Sequence, residues 1–178
     1  MHTKSSFGLL FTILLATSNL AFAQSGFFNS ELVFQDEDHH SVKMADFLGK
    51  RVVATMSYSE CKKTCPLVTM TALRKIQKKL DEQNKTAEFV ILSFDSKNDT
   101  SEVWKKYRAK QKIESPHWHF LTGTEHDTRI IAKQLGLDRY WTMDDHILHD
   151  FKVTLFSESG EQIERLDWDH REVASFFP

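Results

Sequence analysis

The chain contains two cysteines, Cys61 and Cys65, and both fall at one junction. A β-branched run at residues 51–55 (Arg-Val-Val-Ala-Thr) precedes them, and an amphipathic helical pattern begins directly after them at Pro66. A strand that feeds a helix through a turn carrying two thiols four positions apart brings the sulfurs side by side at the helix start. The unpaired N–H groups and positive dipole end found there stabilise a thiolate and lower a thiol pKa. Thiols so placed close a small disulfide loop, exchange disulfides, or hold a soft metal ion.

The flanking pattern predicts the elements around this turn. Residues 31–34 and 41–43 flank an acidic turn and read as a short β-hairpin, and residues 44–48 as a helical turn stopped at Gly49. Residues 52–56 form a buried strand. Leu67, Met70, Leu73, Ile76 and Leu80 recur three or four apart, as on one face of a helix whose first turn accommodates Pro66. A central strand at 88–94, a helix at 101–112 with Val103, Trp104 and Tyr107 on one face, a strand at 118–121 and a helix at 125–135 ended by Gly136 follow. Residues 141–145 read as loop. Strands at 151–157 and 162–167 join through the Ser159-Gly160 turn, and residues 170–177 read as a terminal helix. Early alternation of strand and helix predicts a partly parallel sheet wrapped by helices, with an antiparallel end. With a thiol pair leading the first helix, the fold class is α/β, thioredoxin-like: a central mixed β-sheet flanked by helices, with an N-terminal β-hairpin.

Residues 1–23 read as an export signal: Lys4 supplies the positive start, residues 7–16 the apolar stretch, and Ala21-Phe22-Ala23 the cleavage motif. An uncleaved N-terminal anchor is the alternative. Either way the domain faces an oxidising compartment, the periplasm in a Gram-negative bacterium, where a cysteine pair can form a disulfide. Residues 24–30 read as a short flexible segment and 31–178 as one domain. A formal net charge of -2 leaves no electrostatic footprint for nucleic acid. No Ser/His/Asp arrangement, phosphate-cradling glycine loop or His-Glu-x-x-His motif is present.

Several blocks, in order, resemble the Sco/SenC family, the copper-handling thioredoxin-fold proteins of cytochrome oxidase assembly. They are Gly49-Lys50-Arg51-Val52-Val53 before the cysteine strand, Cys61-x-x-x-Cys65-Pro66, Ser93-Phe94-Asp95 through Asp99-Thr100, Trp118 with Leu121-Thr122-Gly123, and His149 eleven residues before Gly160. The likeness spans residues 32–160. The chain departs from the family pattern where Leu148 precedes His149, where Ser96 follows Asp95, and where Lys62-Lys63 lies between the cysteines; two cations there favour thiolates further.

The resemblance implies a copper site made by Cys61, Cys65 and His149, with Cu(I), and Cu(II) as a further possibility, as the metal. Copper(I) is soft, prefers thiolate, and accepts an imidazole as third ligand. It also implies a copper-site subunit of cytochrome c oxidase, or another periplasmic copper protein, as recipient, and a thiol reductant as second partner. His146, in the Asp145-His146 pair, is the alternative ligand, with His149 preferred for its spacing to the following strand and turn. Asp144, Asp145 and Asp150 are candidates to orient a ring N–H. The other histidines, His39, His40, His117, His119, His126 and His170, read as surface or capping residues. The rival reading keeps Cys61 and Cys65 as the redox-active pair of a thiol–disulfide oxidoreductase, which needs no third ligand. A purely structural disulfide would close so short a loop that it would stabilise little. A thiol peroxidase lacks an evident Thr and Arg pair near Cys61.

Overall fold

A computed structural model describes residues 26–28, 31–60, 65–143 and 146–167, the side chains of 65–67 excepted. The export signal and the terminal helix expected at 170–177 lie outside the described residues. Elements in chain order are β1 (Phe34–Gln35), β2 (Ser41–Val42), a 3-10 turn (Met44–Phe47), β3 (Val52–Ser57), α1 (Cys65–Glu82), β4 (Glu88–Ser93), α2 (Ser101–Lys110), β5 (Trp118–Leu121), α3 (Glu125–Gln134), β6 (Tyr140–Met143), β7 (His146–His149), β8 (Lys152–Phe156) and β9 (Gln162–Asp167). No described helix is long and apolar enough to cross a membrane.

The main sheet runs β5-β4-β3-β8-β9. β3, β4 and β5 are parallel, in register from Val52↔Glu88 to Ser57↔Ser93, whereas β8 pairs antiparallel with both β3 and β9. This is the mixed sheet expected from the alternation of elements. All six residues of β3 and all six of β4 are buried, as strands covered on both faces require. Successive side chains point to opposite faces. Val53, Phe89 and Ile91 therefore join one core with Leu73, Ile76 and Leu80 of α1 and Trp104 and Tyr107 of α2. Val52, Ala54, Met56, Val90 and Leu92 join the other, closed by Ile131 and Ala132 of α3 and by Phe27, Phe28, Phe34 and Phe156.

Local chemistry sets the ends of the helices. Thr100 and Thr124 cap α2 and α3 by accepting from the backbone N–H groups of Val103 (3.4 Å) and Asp127 (3.1 Å). Gly136 adopts φ +66 just past α3, and Leu137 N–H donates to Ala132 C=O at 2.7 Å, closing the helix as expected. The hairpin β1–β2 docks on the sheet where Gln35 and Thr122 exchange backbone hydrogen bonds of 2.8 and 2.9 Å. A Cβ on Gly123 would meet the Phe34 ring at 2.8 Å, so this docking needs glycine there.

Three expectations are corrected. The first strand is Phe34–Gln35 rather than residues 31–34, because pairing begins only where Phe34 enters the core. Residues 26–28, expected within a flexible segment, form a turn whose Phe27 and Phe28 are buried; Phe27 stacks on Phe156 at 4.8 Å. Finally, the loop expected at 141–145 is largely strand: β6 and β7 form a two-stranded antiparallel sheet of their own. Its sequence was ambiguous because one side of β6 faces solvent, so no run of buried alternating residues marks it.

Candidate functional site

In open α/β sheets ligands gather beyond the carboxyl ends of the parallel strands. Here β3 ends at Ser57 and continues through Tyr58, Ser59 and Glu60 toward the cysteines, while β4 ends at Ser93 and continues through Phe94 into the 95–99 loop. Phe94 N–H donates to Ser57 C=O at 2.9 Å, extending the parallel pairing into this exit. Cys61 lies outside the described residues, and Cys65 is described by its backbone, as the first residue of α1. His146 and His149 bound β7.

The hairpin brings His149 to the strand ends. Its ring packs on Phe94 at 4.4 Å and lies edge-on to Tyr58 at 5.9 Å. Tyr140, directly across from His149 in the hairpin, also packs on Phe94 at 5.0 Å. Tyr58 Oη donates to Ile147 C=O at 3.2 Å, tying the hairpin to the segment that leads into the cysteine turn. His149 Nδ1 donates to Asp150 C=O at 2.7 Å, which fixes the tautomer and leaves the Nε2 lone pair free. That Nε2 is buried and has no hydrogen-bond partner among the described residues. Burial pushes the imidazole pKa down, against the Asp150 carbonyl and carboxylate, which favours the neutral ring. A half-buried imidazole whose enclosed Nε2 has no partner among the described residues is poised to take a ligand. The orienting acceptor is thus the backbone carbonyl of Asp150 rather than an acid side chain; Asp144 and Asp145 lie outside the described residues.

His146 is three residues away along β7, an odd offset, so it lies on the opposite face of the hairpin from His149. An open groove of about 490 Å³ runs beside this corner, lined by Tyr58, Glu60, Phe94, Asn98, Arg129 and Tyr140.

Asp99, which sequence reasoning did not single out beyond its block, braces the corner from beneath. It is 1 % exposed and accepts from Ser59 N–H (3.1 Å), Ser59 Oγ (2.5 Å) and Ser93 Oγ (2.5 Å), holding the two strand exits together. Burial pushes its carboxyl up to about 6, against the opposing pull of the Ser59 and Ser93 hydrogen bonds. The folded protein therefore holds this proton more tightly than the unfolded chain. The associated stability is present in full below pH ~4 and is lost as pH rises through about 6, up to about 3 kcal/mol. Asp99→Asn keeps a neutral side chain of the same shape, so urea midpoints between about pH 4 and pH 7 should slope less steeply downward than in the parent. An unchanged slope would show that Asp99 titrates normally.

His117, exposed as expected, and His119, half-buried rather than on the surface, both contact the 7 %-exposed Glu88, at 3.3 and 2.7 Å, with Lys50 at 3.3 Å. Burial disfavours the Glu88 carboxylate, but the His119 hydrogen bond and the Lys50 charge outweigh it and lower its pKa. Among the described residues no three His, Cys, Asp or Glu side chains form a group able to hold a metal.

A mixed sheet flanked by helices, with a Cys-x-x-x-Cys sequence motif at the start of the first long helix, defines a thioredoxin-like fold. Residues 23–174 match SCO1/SenC, and the chain belongs to that family. It is similar to the SCO1 protein homolog of Bacillus subtilis, 28% identical over 131 residues that cover 72% of this chain and 67% of that one. Among solved structures it is similar to BsSco, a member of the Sco family of cytochrome c oxidase assembly proteins in which a disulfide switch has been identified. That likeness has a TM-score of 0.66 at 24% identity, covering 76% of this chain and 80% of that one. It is also similar to copper-bound ScoI of Arabidopsis thaliana, with a TM-score of 0.68 at 20% identity, covering 81% and 89%.

Proposed function

We propose that this protein is a non-catalytic copper metallochaperone that holds copper with Cys61, Cys65 and His149 and delivers it to the binuclear copper site of cytochrome c oxidase. The observation that carries the reading is His149 Nε2: buried and without a partner among the described residues, on a hairpin tied to the approach to Cys61. Copper bound to Arabidopsis ScoI supports copper as the cargo. Two thiolates and one imidazole suit a soft Cu(I) ion and leave a side open for a recipient's ligand. Binding needs the reduced pair, so a thiol reductant is the second partner. The leader at residues 1–23 supports export, with the work done in the periplasm or from the outer surface of the inner membrane.

A second reading makes the same pair a thiol–disulfide reductase that acts on the oxidase's copper-site cysteines or in redox defence. It is favoured by the position of Cys65 at the first turn of α1 and by the disulfide switch of BsSco. His149→Ala separates the two. On the chaperone reading, copper affinity falls about a hundredfold or more, while thiol exchange with a small disulfide proceeds at the parental rate. Copper affinity unchanged in His149→Ala, measured against a competing chelator, would overturn the proposed ligand set.

A further inference from the structure

The β6–β7 hairpin has a second face. Tyr140↔His149 and Thr142↔Ile147 form its inner side, against Phe94 and Tyr58, so Trp141↔Leu148 and Met143↔His146 form its outer side. Trp141 and Met143 are 57 % and 49 % exposed, two of only four large apolar side chains so exposed among the described residues. By contrast, Met44, Met56 and Met70 are core residues. Packing therefore accounts for those three methionines and leaves Met143 without such a role. Nor does the His146 side chain hydrogen-bond to any described residue, a state it shares with the exposed His126, whereas His39, His40, His117, His119 and His149 each have a side-chain partner.

Met143 and His146 are direct cross-strand partners, and such residues hold their Cβ atoms about 5 Å apart on one face. A thioether and an imidazole at that spacing can reach the same ion. A soft thioether beside an imidazole suits Cu(I) rather than the hard cations that seek carboxylates. Trp141 stands next along the same face, where its ring offers a π surface to a cation.

We infer that Met143 and His146 form a second Cu(I) site on the outer face of the hairpin, beside Trp141 and distinct from the proposed Cys61–Cys65–His149 centre. With two neutral ligands and no thiolate it is the weaker of the two. Residues 146 and 149 are about 10 Å apart along the strand and face opposite ways, so the two sites do not share an ion.

The inference goes beyond the proposed centre and can fail or stand without it, so the test removes that centre's thiols. Protein carrying Cys61→Ser and Cys65→Ser, with ¹³C-labelled methionine methyls, is titrated anaerobically with Cu(I) supplied as its acetonitrile complex. The Met143 methyl should shift while those of Met44, Met56 and Met70 stay in place and report an intact core, and Trp141 fluorescence should be quenched. The quenching should be lost in Met143→Leu, and both responses in His146→Asn; each variant alters an outward-facing side chain. A Met143 methyl that does not move, or one that still moves in His146→Asn, would overturn the second site.

Discussion

Serine at Cys61 or at Cys65 should take copper binding from stoichiometric to at least about a thousandfold weaker, a loss of about 4 kcal/mol or more. A hydroxyl is nearly the size of a thiol but hard and uncharged, so it cannot replace the anionic sulfur that a soft ion prefers. One thiolate and the half-buried His149 would remain, a two-ligand set that does not retain Cu(I) against a strong chelator. The measurement is anaerobic Cu(I) titration with a chromophoric competitor, followed by X-ray absorption to count sulfur and nitrogen neighbours. Stoichiometric tight binding surviving both substitutions would remove the thiolates from the site. The reductase reading predicts a different signature: exchange activity collapses, while parental copper affinity is weak from the outset.

The second large effect concerns the fold. Phe156→Ala should cost about 3–5 kcal/mol, a large share of a typical domain's 5–15 kcal/mol. Phe156 is buried in β8, stacks on Phe27 at 4.8 Å with planes 12° apart, and meets Phe28 edge-on at 5.1 Å. Removing the ring opens a cavity and frees the 26–28 turn that closes this side of the core. Urea denaturation followed by tryptophan fluorescence measures the cost; a loss below about 1 kcal/mol would mean that the neighbouring rings collapse into the space.

Much of this fold was legible in the chain because burial imposes a period. β3 and β4 show as short β-rich apolar runs, α1 as an apolar residue every three or four positions, and the end of α3 as a glycine. The parts that escaped depend on partners distant in sequence. Phe27 and Phe28 lie in a stretch with no periodicity, and only Phe156, far along the chain, gives them a core to join. The alternation of Tyr140 and Thr142 with Trp141 and Met143 was the available signal for β6, but Asp144-Asp145 lacks the Asn-Gly or Asp-Gly pair that announces a two-residue hairpin. His149 could be singled out by its distance from Gly160, whereas its unused Nε2 and its packing on Phe94 and Tyr58 belong to geometry. The brace at Asp99 is likewise invisible without coordinates, since an aspartate after a polar loop reads as solvated until Ser59 and Ser93 close over it.

Among the described residues, the hairpin that carries His149 shares no strand ladder with the main sheet. Changes at its outward-facing positions can therefore accumulate without breaking a ladder of the five-stranded core, while Tyr140, Ile147 and His149 keep it packed against Phe94 and Tyr58. A lineage could re-aim the imidazole, lengthen its reach or discard it altogether while the thiol turn and its supporting strands stay unaltered, so that one scaffold could evolve between carrying an ion and carrying electrons.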